Sequence, residues 1–167
     1  WFTNSGRHAF SEPESSAIRD FMKELDSKNK FSFYLNCHTA THNIITPWST
    51  YKPVFKLSTQ QNSVFNYAKN WISENTEYED SDLWYAASGT SMDWCFKEFE
   101  IPSFTFEILS MDYEPGDTGG KHDNLVHWMK TTLPVYMYLV VNIENFYNWQ
   151  IPENEPILPE GVPPEKI

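Results

Sequence analysis

A chain of 167 residues is long enough for one sizeable domain with its own core, and 40% hydrophobic with 17% aromatic content excludes a disordered segment. The net charge of −11 gives no basic footprint for nucleic acid, and the scattered acidic residues read as a solvated surface. Two cysteines, Cys37 and Cys95, are too few for a disulfide framework and read as small buried hydrophobes.

Residues 1–10 are turn-like around Asn4-Ser5-Gly6, and the chain opens on Trp1 with no initiator Met or visible signal peptide. A fragment or processed product is therefore expected. Ser11-Glu12-Pro13-Glu14 has the pattern of a capping box, with Ser11 as N-cap and Pro13 in the first turn, where its missing N–H costs nothing. Ala17, Ile18, Phe21, Met22 and Leu25 follow at helical spacing and predict a helix over 12–27. From Phe31 to Thr39 apolar and polar residues alternate. This predicts a strand, central in its sheet, that delivers His38 at its C-terminal end. Residues 40–57 read as a loop with one short extended piece. Ser58-Thr59-Gln60-Gln61 is a second capping box, opening a helix to about Ser73 with Val64, Phe65, Ala68 and Ile72 on one face.

An acidic surface loop is expected over Glu74–Asp82, then a Gly-centred turn, Tyr85-Ala-Ala-Ser-Gly-Thr-Ser-Met-Asp-Trp94, a short helix over Ser91–Lys97 and a strand over 102–109. A loop over 112–120 leads to a last helix over 122–148, which Pro134 should kink or cap. Its Leu133–Val141 apolar run is too short to span a bilayer, so a core helix is expected and no membrane span. The five prolines from Pro152 onward suggest an extended arm. The domain organisation expected is thus an α/β layered pattern over 1–150 that looks like half of a domain, and a Pro-rich arm over 151–167. The strands foreseen are too few to close a sheet comfortably.

Few side chains suggest chemistry. His38 is either a metal ligand or a satisfied core histidine. His42 follows four residues later, but on a strand that spacing means a separation of ~13 Å, too far for one shared ion. Glu107 shares a strand face with Ser103 and Thr105, opposite Phe104, Phe106 and Ile108. A carboxylate so placed is costly unless paired, hydrogen-bonded or near a metal, and such acids often act as general bases. Tyr85 is an ordinary half-buried aromatic or a phenol facing a ligand. His8, His122 and His127 have no partners at metal spacing, and the Asp112, Glu114, Asp117 loop lacks an EF-hand pattern.

Four segments in this order carry a resemblance: Phe10-Ser-Glu-Pro-Glu14, Leu35-Asn-Cys-His-Thr39, the Tyr85–Trp94 stretch, and Ser103-Phe-Thr-Phe-Glu107. Over about residues 6–109 the chain resembles the C-terminal half of the zinc carboxypeptidases of the carboxypeptidase A type. The resemblance implies a partial three-layer α/β/α fold on a mixed sheet, with the N-terminal half absent. It implies His38 as the third zinc ligand and Glu107 as the general acid/base that activates the zinc-bound water. Tyr85 matches the mobile tyrosine that closes over the substrate's terminal carboxylate, and Thr39 the position whose backbone holds the scissile residue. Ala87, Met92 and Thr105 match the specificity-pocket lining. Met92 stands where basic-preferring members carry an acid, which implies apolar or aromatic C-terminal residues as substrates. Zn2+ is the implied cofactor, and peptide or protein C-termini and the N-terminal half of the same domain are the implied partners. A secreted, extracellular setting is implied by the same likeness.

The departures matter as much. No His-x-x-Glu exists here, and of the two arginines, Arg7 and Arg19, neither matches a clamp position. Ile108-Leu-Ser-Met-Asp112 replaces the family's usual continuation after the acid. One histidine cannot hold a catalytic zinc, which takes about three protein ligands, so the chain alone is expected to be inactive and metal-poor. Two other readings compete: a non-catalytic relic that binds a peptide C-terminus or a protein partner, and a related zinc deacylase.

Overall fold

The computed structural model describes residues 7–38, 41–50, 55–76, 78–80, 87, 89–108 and 121–154. The chain divides into two compact units, Trp1–Phe31 and Ser32–Ile167. The first holds helix α1, Pro13–Lys28. Its N-cap is Glu12, extended at φ −89° and ψ 139°, with no side-chain cap. The capping box expected at Ser11 and Glu14 is therefore not formed; the Ser11 hydroxyl donates to the Glu12 carboxylate instead. Pro13 explains the shift, because a residue before proline is pushed out of the helical region, so the helix cannot include Glu12. At the other end Asp26 accepts from Lys30 Nζ (2.6 Å) and Phe31 N (3.1 Å), fastening the exit.

The second unit is built on a four-stranded mixed sheet in the order β1-β4-β2-β3, with β1 Tyr34–His38, β2 Asn43–Ile45, β3 Glu79–Asp80 and β4 Ser103–Glu107. β1 runs parallel to β4, β2 antiparallel to β4, and β3 parallel to β2. The fold class is α/β, as the sequence implied. Among the described residues β1 nevertheless stands at one edge of the sheet and not centrally, and the first three residues of its predicted span lie outside it. Alternation reports that a strand has one apolar and one polar face; it does not count neighbours. The inner positions belong to β2 and to β4, four of whose five residues are buried. Edge placement also corrects the reading of Cys37, which is exposed, whereas Cys95 is buried as expected.

Helix α2, Thr59–Asn75, starts at Ser58 with both halves of the capping box in place. Its Val64, Phe65, Ala68 and Ile72 pack with Ile44, Phe104 and Phe106 of the sheet. Helix α3, Ser91–Phe99, is capped by the Thr90 hydroxyl, which accepts from Asp93 N (3.1 Å), and it ends at Glu100 in the left-handed region (φ 56°). It packs along β1 and β4. The single helix expected over 122–148 is two: α4, Lys121–Val141, and α5, Ile143–Tyr147. Pro134 lies inside α4 and does not end it. The break comes at Asn142, whose side-chain amide donates back to the Tyr138 carbonyl (2.9 Å) and competes with the regular ladder.

Val135, Tyr138, Leu139 and Phe146 close the core over the Phe104/Phe106 face. The contacts are aromatic: Phe65 meets Phe104 edge-on at 5.5 Å, Tyr78 meets Phe106 at 5.5 Å, and Trp71 stacks on Tyr138 at 3.9 Å. Among the described residues no helix is long and apolar enough to cross a membrane. Of the proposed arm, only residues 151–154 are described.

Candidate functional site

The register of the sheet composes the site. In the β1–β4 pair His38 stands opposite Glu107, and in the β2–β4 pair Asn43 stands opposite Glu107 from the other side. Directly opposed residues point to the same face, so His38, Glu107 and Asn43 form one polar row across three strands. One step back along the same face, Asn36, Thr105 and Ile45 form the next row. Phe104 and Phe106 alternate into the core behind it.

Glu107 Oε1 lies 3.4 Å from His38 Nδ1. That is an electrostatic contact at the long end of a hydrogen bond. The two groups are covered unequally: the His38 side chain is 63% exposed, the Glu107 side chain 15%. Glu107 Oε2 is buried with no hydrogen-bond partner among the described residues, and the same holds for Asn43 Oδ1. Unpaired buried oxygens carry a cost and mark sites that await a donor. The strand end is fixed by the Ile108 amide, which donates to the His38 carbonyl (2.8 Å). His42 turns elsewhere: at φ 58° its ring lies 4.6 Å from that of Tyr78.

The Gly-centred turn is tied through Ser49 to the segment that follows β2. The Ser49 carbonyl accepts from Ala87 N (2.8 Å), and the Ser49 N–H donates to both Asp93 oxygens (3.1 and 3.2 Å). Gly89 sits at φ +84°, where a side chain would be strained. Burial pushes the Asp93 carboxyl above its ordinary range, and the hydrogen bonds from Ser49 and Thr90 offset only part of that. Met92 and Thr105 are both buried. Tyr34, on the same face as Thr105 and Glu107, has its phenol pushed up by burial and hydrogen-bonded to the Ser91 side chain.

Of the residues the sequence singled out, His38 and Glu107 are thus brought side by side, and Thr105 shares their face. Met92 is on α3 and Ala87 on the tethered turn. Tyr85 and Thr39 lie outside the described residues. Asn43 and Ser49 were missed: both fall in a stretch that reads as loop, and only strand pairing reveals their neighbours. As a zinc site the donors are incomplete. His38 and Glu107 stand together, but no group of three or more His, Cys, Asp or Glu side chains that could hold a metal occurs among the described residues.

Comparison with known proteins adds the lineage. The zinc carboxypeptidase family profile matches residues 2–119. A zinc carboxypeptidase of Simulium vittatum is 29% identical over 116 residues, covering 66% of this chain and 38% of that protein. Human carboxypeptidase O is 30% identical over 112 residues, with 64% of this chain and 29% of that protein covered. Bovine carboxypeptidase A1 is 29% identical over 111 residues, 64% and 26% covered. Among solved structures, bovine thrombin-activatable fibrinolysis inhibitor in complex with tick carboxypeptidase inhibitor aligns with a TM-score of 0.48 at 26% identity, covering 67% of this chain and 38% of that one. Carboxypeptidase A from Helicoverpa armigera aligns at 0.49 and 22% identity, covering 78% and 35%. The chain belongs to the zinc carboxypeptidase family, and it spans well under half the length of the relatives it matches.

Proposed function

We propose that this zinc carboxypeptidase family member forms one wall of a cleft that hydrolyses the C-terminal peptide bond of peptides or proteins, preferring apolar or aromatic C-terminal residues. The observation that carries the reading is the pairing of His38 with Glu107 at 3.4 Å, in strand register, at the end of two parallel strands. Ligands collect outside the carboxyl ends of such strands. In this reading Glu107 takes the proton of the attacking water and passes it to the leaving amine. A largely covered carboxylate with one oxygen lacking a donor suits that work. His38 serves as one zinc ligand, Tyr85 as the lid over the substrate carboxylate, and Thr39 as a backbone contact. Ala87, Met92 and Thr105 line the pocket for the terminal side chain; an apolar, buried Met92 favours apolar residues there.

The other zinc ligands and the arginines that clamp the substrate carboxylate come, in this proposal, from an N-terminal half outside these 167 residues. One observation favours it: the matched region is 26–38% of the length of the curated relatives. Residues 1–150 then belong to the catalytic domain and 151–167 to an arm, in an extracellular protein. The chain alone is inactive and metal-poor.

Zinc content and peptidase rate test this together. The purified chain should hold far less than one zinc per molecule and cleave no N-acyl dipeptide ending in Phe, Leu or Lys. Supplying the N-terminal half should restore cleavage, fastest for Phe and Leu. Glu107→Gln should then cost at least ~100-fold, the low end for a lost general acid/base. Stoichiometric zinc on the isolated chain, or full activity in Glu107→Gln, sinks the proposal.

A further inference from the structure

Asn43 is 2% exposed on β2 and stands directly across from Glu107 in the antiparallel pair. In such a pair the Cβ atoms are ~4.5–5.5 Å apart, so an amide and a carboxylate can reach each other. Each side chain carries a buried oxygen with no hydrogen-bond partner among the described residues: Asn43 Oδ1 and Glu107 Oε2. Both are acceptors, so neither can satisfy the other as they stand. The amide nitrogen of Asn43 is not among the stranded buried atoms. A half-turn of the carboxamide about Cβ–Cγ exchanges oxygen for nitrogen in the same volume. It offers an N–H to the carboxylate and places the amide oxygen where the nitrogen was. The remaining carboxylate oxygen, Oε1, already faces His38.

We propose that Asn43 is a positioning residue for Glu107: its side-chain N–H donates to Oε2 across the β2–β4 pair, so that the carboxylate is held between His38 on one strand and Asn43 on the other. One contact from His38, at 3.4 Å, does not by itself fix the plane of the Glu107 carboxylate. A second contact from the opposite strand fixes the plane of the group and leaves one edge of it for the reacting proton. The chemical consequence rests on the reading of Glu107 as acid/base; the contact itself does not.

The readouts are stability and spectroscopy, taken on the chain together with its N-terminal half, and they need no catalytic activity. In a double-mutant cycle of Asn43→Leu and Glu107→Leu, Asn43→Leu should raise the unfolding equilibrium constant about tenfold while Glu107 is present, the low end for a hydrogen bond to a charged group. In the Glu107→Leu background the same change should be neutral or stabilising, since it removes a stranded polar group. Asn43→Asp should be worse than Asn43→Leu, because it sets a second carboxylate against the first. In a 15N-labelled sample, one Asn43 side-chain amide proton should lie downfield of the other asparagines and move upfield in Glu107→Leu. A cycle with no coupling, or an Asn43 amide signal indifferent to Glu107, overturns the proposal. Coupling found together with an active Glu107→Gln enzyme would leave this contact standing and remove the catalytic reading.

Discussion

Replacing Phe104 by Ala tests the arrangement that puts the site where it is. Phe104 is fully buried on β4, opposite Leu35 of β1 and edge-on to Phe65 of α2 at 5.5 Å. A buried Phe removes ~150–250 Å² from water, about 4–6 kcal/mol at 25 cal/mol per Å². Alanine keeps part of that, and measured Phe→Ala losses in cores run at about 3–5 kcal/mol. We expect about 4 kcal/mol, a large share of the ~5–15 kcal/mol that holds a domain. With a urea m-value of about 2 kcal/mol/M the midpoint should fall by about 2 M, read from tryptophan fluorescence at unchanged m. Phe104→Leu should lose no more than about 1.5 kcal/mol. The cycle with Phe65→Ala should show a coupling of about 1 kcal/mol from the edge-to-face pair. A midpoint shift below ~0.3 M would refute the reasoning, since the apolar face of β4 would then lie outside the core. The placement of Thr105 and Glu107 on the other face would fall with it.

Asp93 should make stability pH-dependent in a definite sense. Its carboxyl is held above the ordinary value of 3.8 by burial, so the folded state holds the proton more tightly than the unfolded one. That contribution is complete below the ordinary value and is lost as pH rises through the folded value. Urea titrations should therefore show Asp93→Asn gaining on the wild type between acid and neutral pH; a constant difference would contradict this. The thiols should separate equally clearly. Cys37 is exposed, while Cys95 is buried and its thiol is pushed up to about 12, so an aromatic disulfide reagent at pH 8 should titrate one thiol in the folded chain and two in urea. Cys37→Ser should leave none reactive until the chain unfolds.

The sequence carried the parts of the fold that repeat. Val64, Phe65, Ala68 and Ile72 recur at helical spacing and form the buried face of α2, and Ser58 and Gln61 cap it reciprocally. Ser103–Glu107 forms β4, within the strand expected over 102–109, but its first four residues are buried on both faces. What escaped was short or relational. β2 and β3 have three and two residues, too few for any period; β2 exists because β4 offers an edge to pair with, and β3 pairs in turn with β2. Pro13 and Asn142 moved helix ends through local competition that a periodic pattern does not record. The same division runs through the site. Glu107 and His38 were visible as odd polar residues at strand ends, whereas Asn43 acquires meaning only from the register that sets it against Glu107.

That register is enforced from the apolar side of the sheet. A slip of β4 by one residue would swap its faces, burying Thr105 and Glu107 among Phe65, Ile72 and Tyr138 and forcing Phe104 and Phe106 into the space that Ser103 and Thr105 fill on the other buried face. An unpaired carboxylate in that cluster would cost several kcal/mol, and two phenylalanines overpacked where Ser103 and Thr105 fit about 1–3 kcal/mol each. Neither penalty is compensated, because hydrogen bonding along the strand is the same in both registers. The aromatic core therefore selects the one pairing in which Glu107 meets His38 and Asn43. A substitution that loosens the core should disturb the site even though it touches none of the three polar residues.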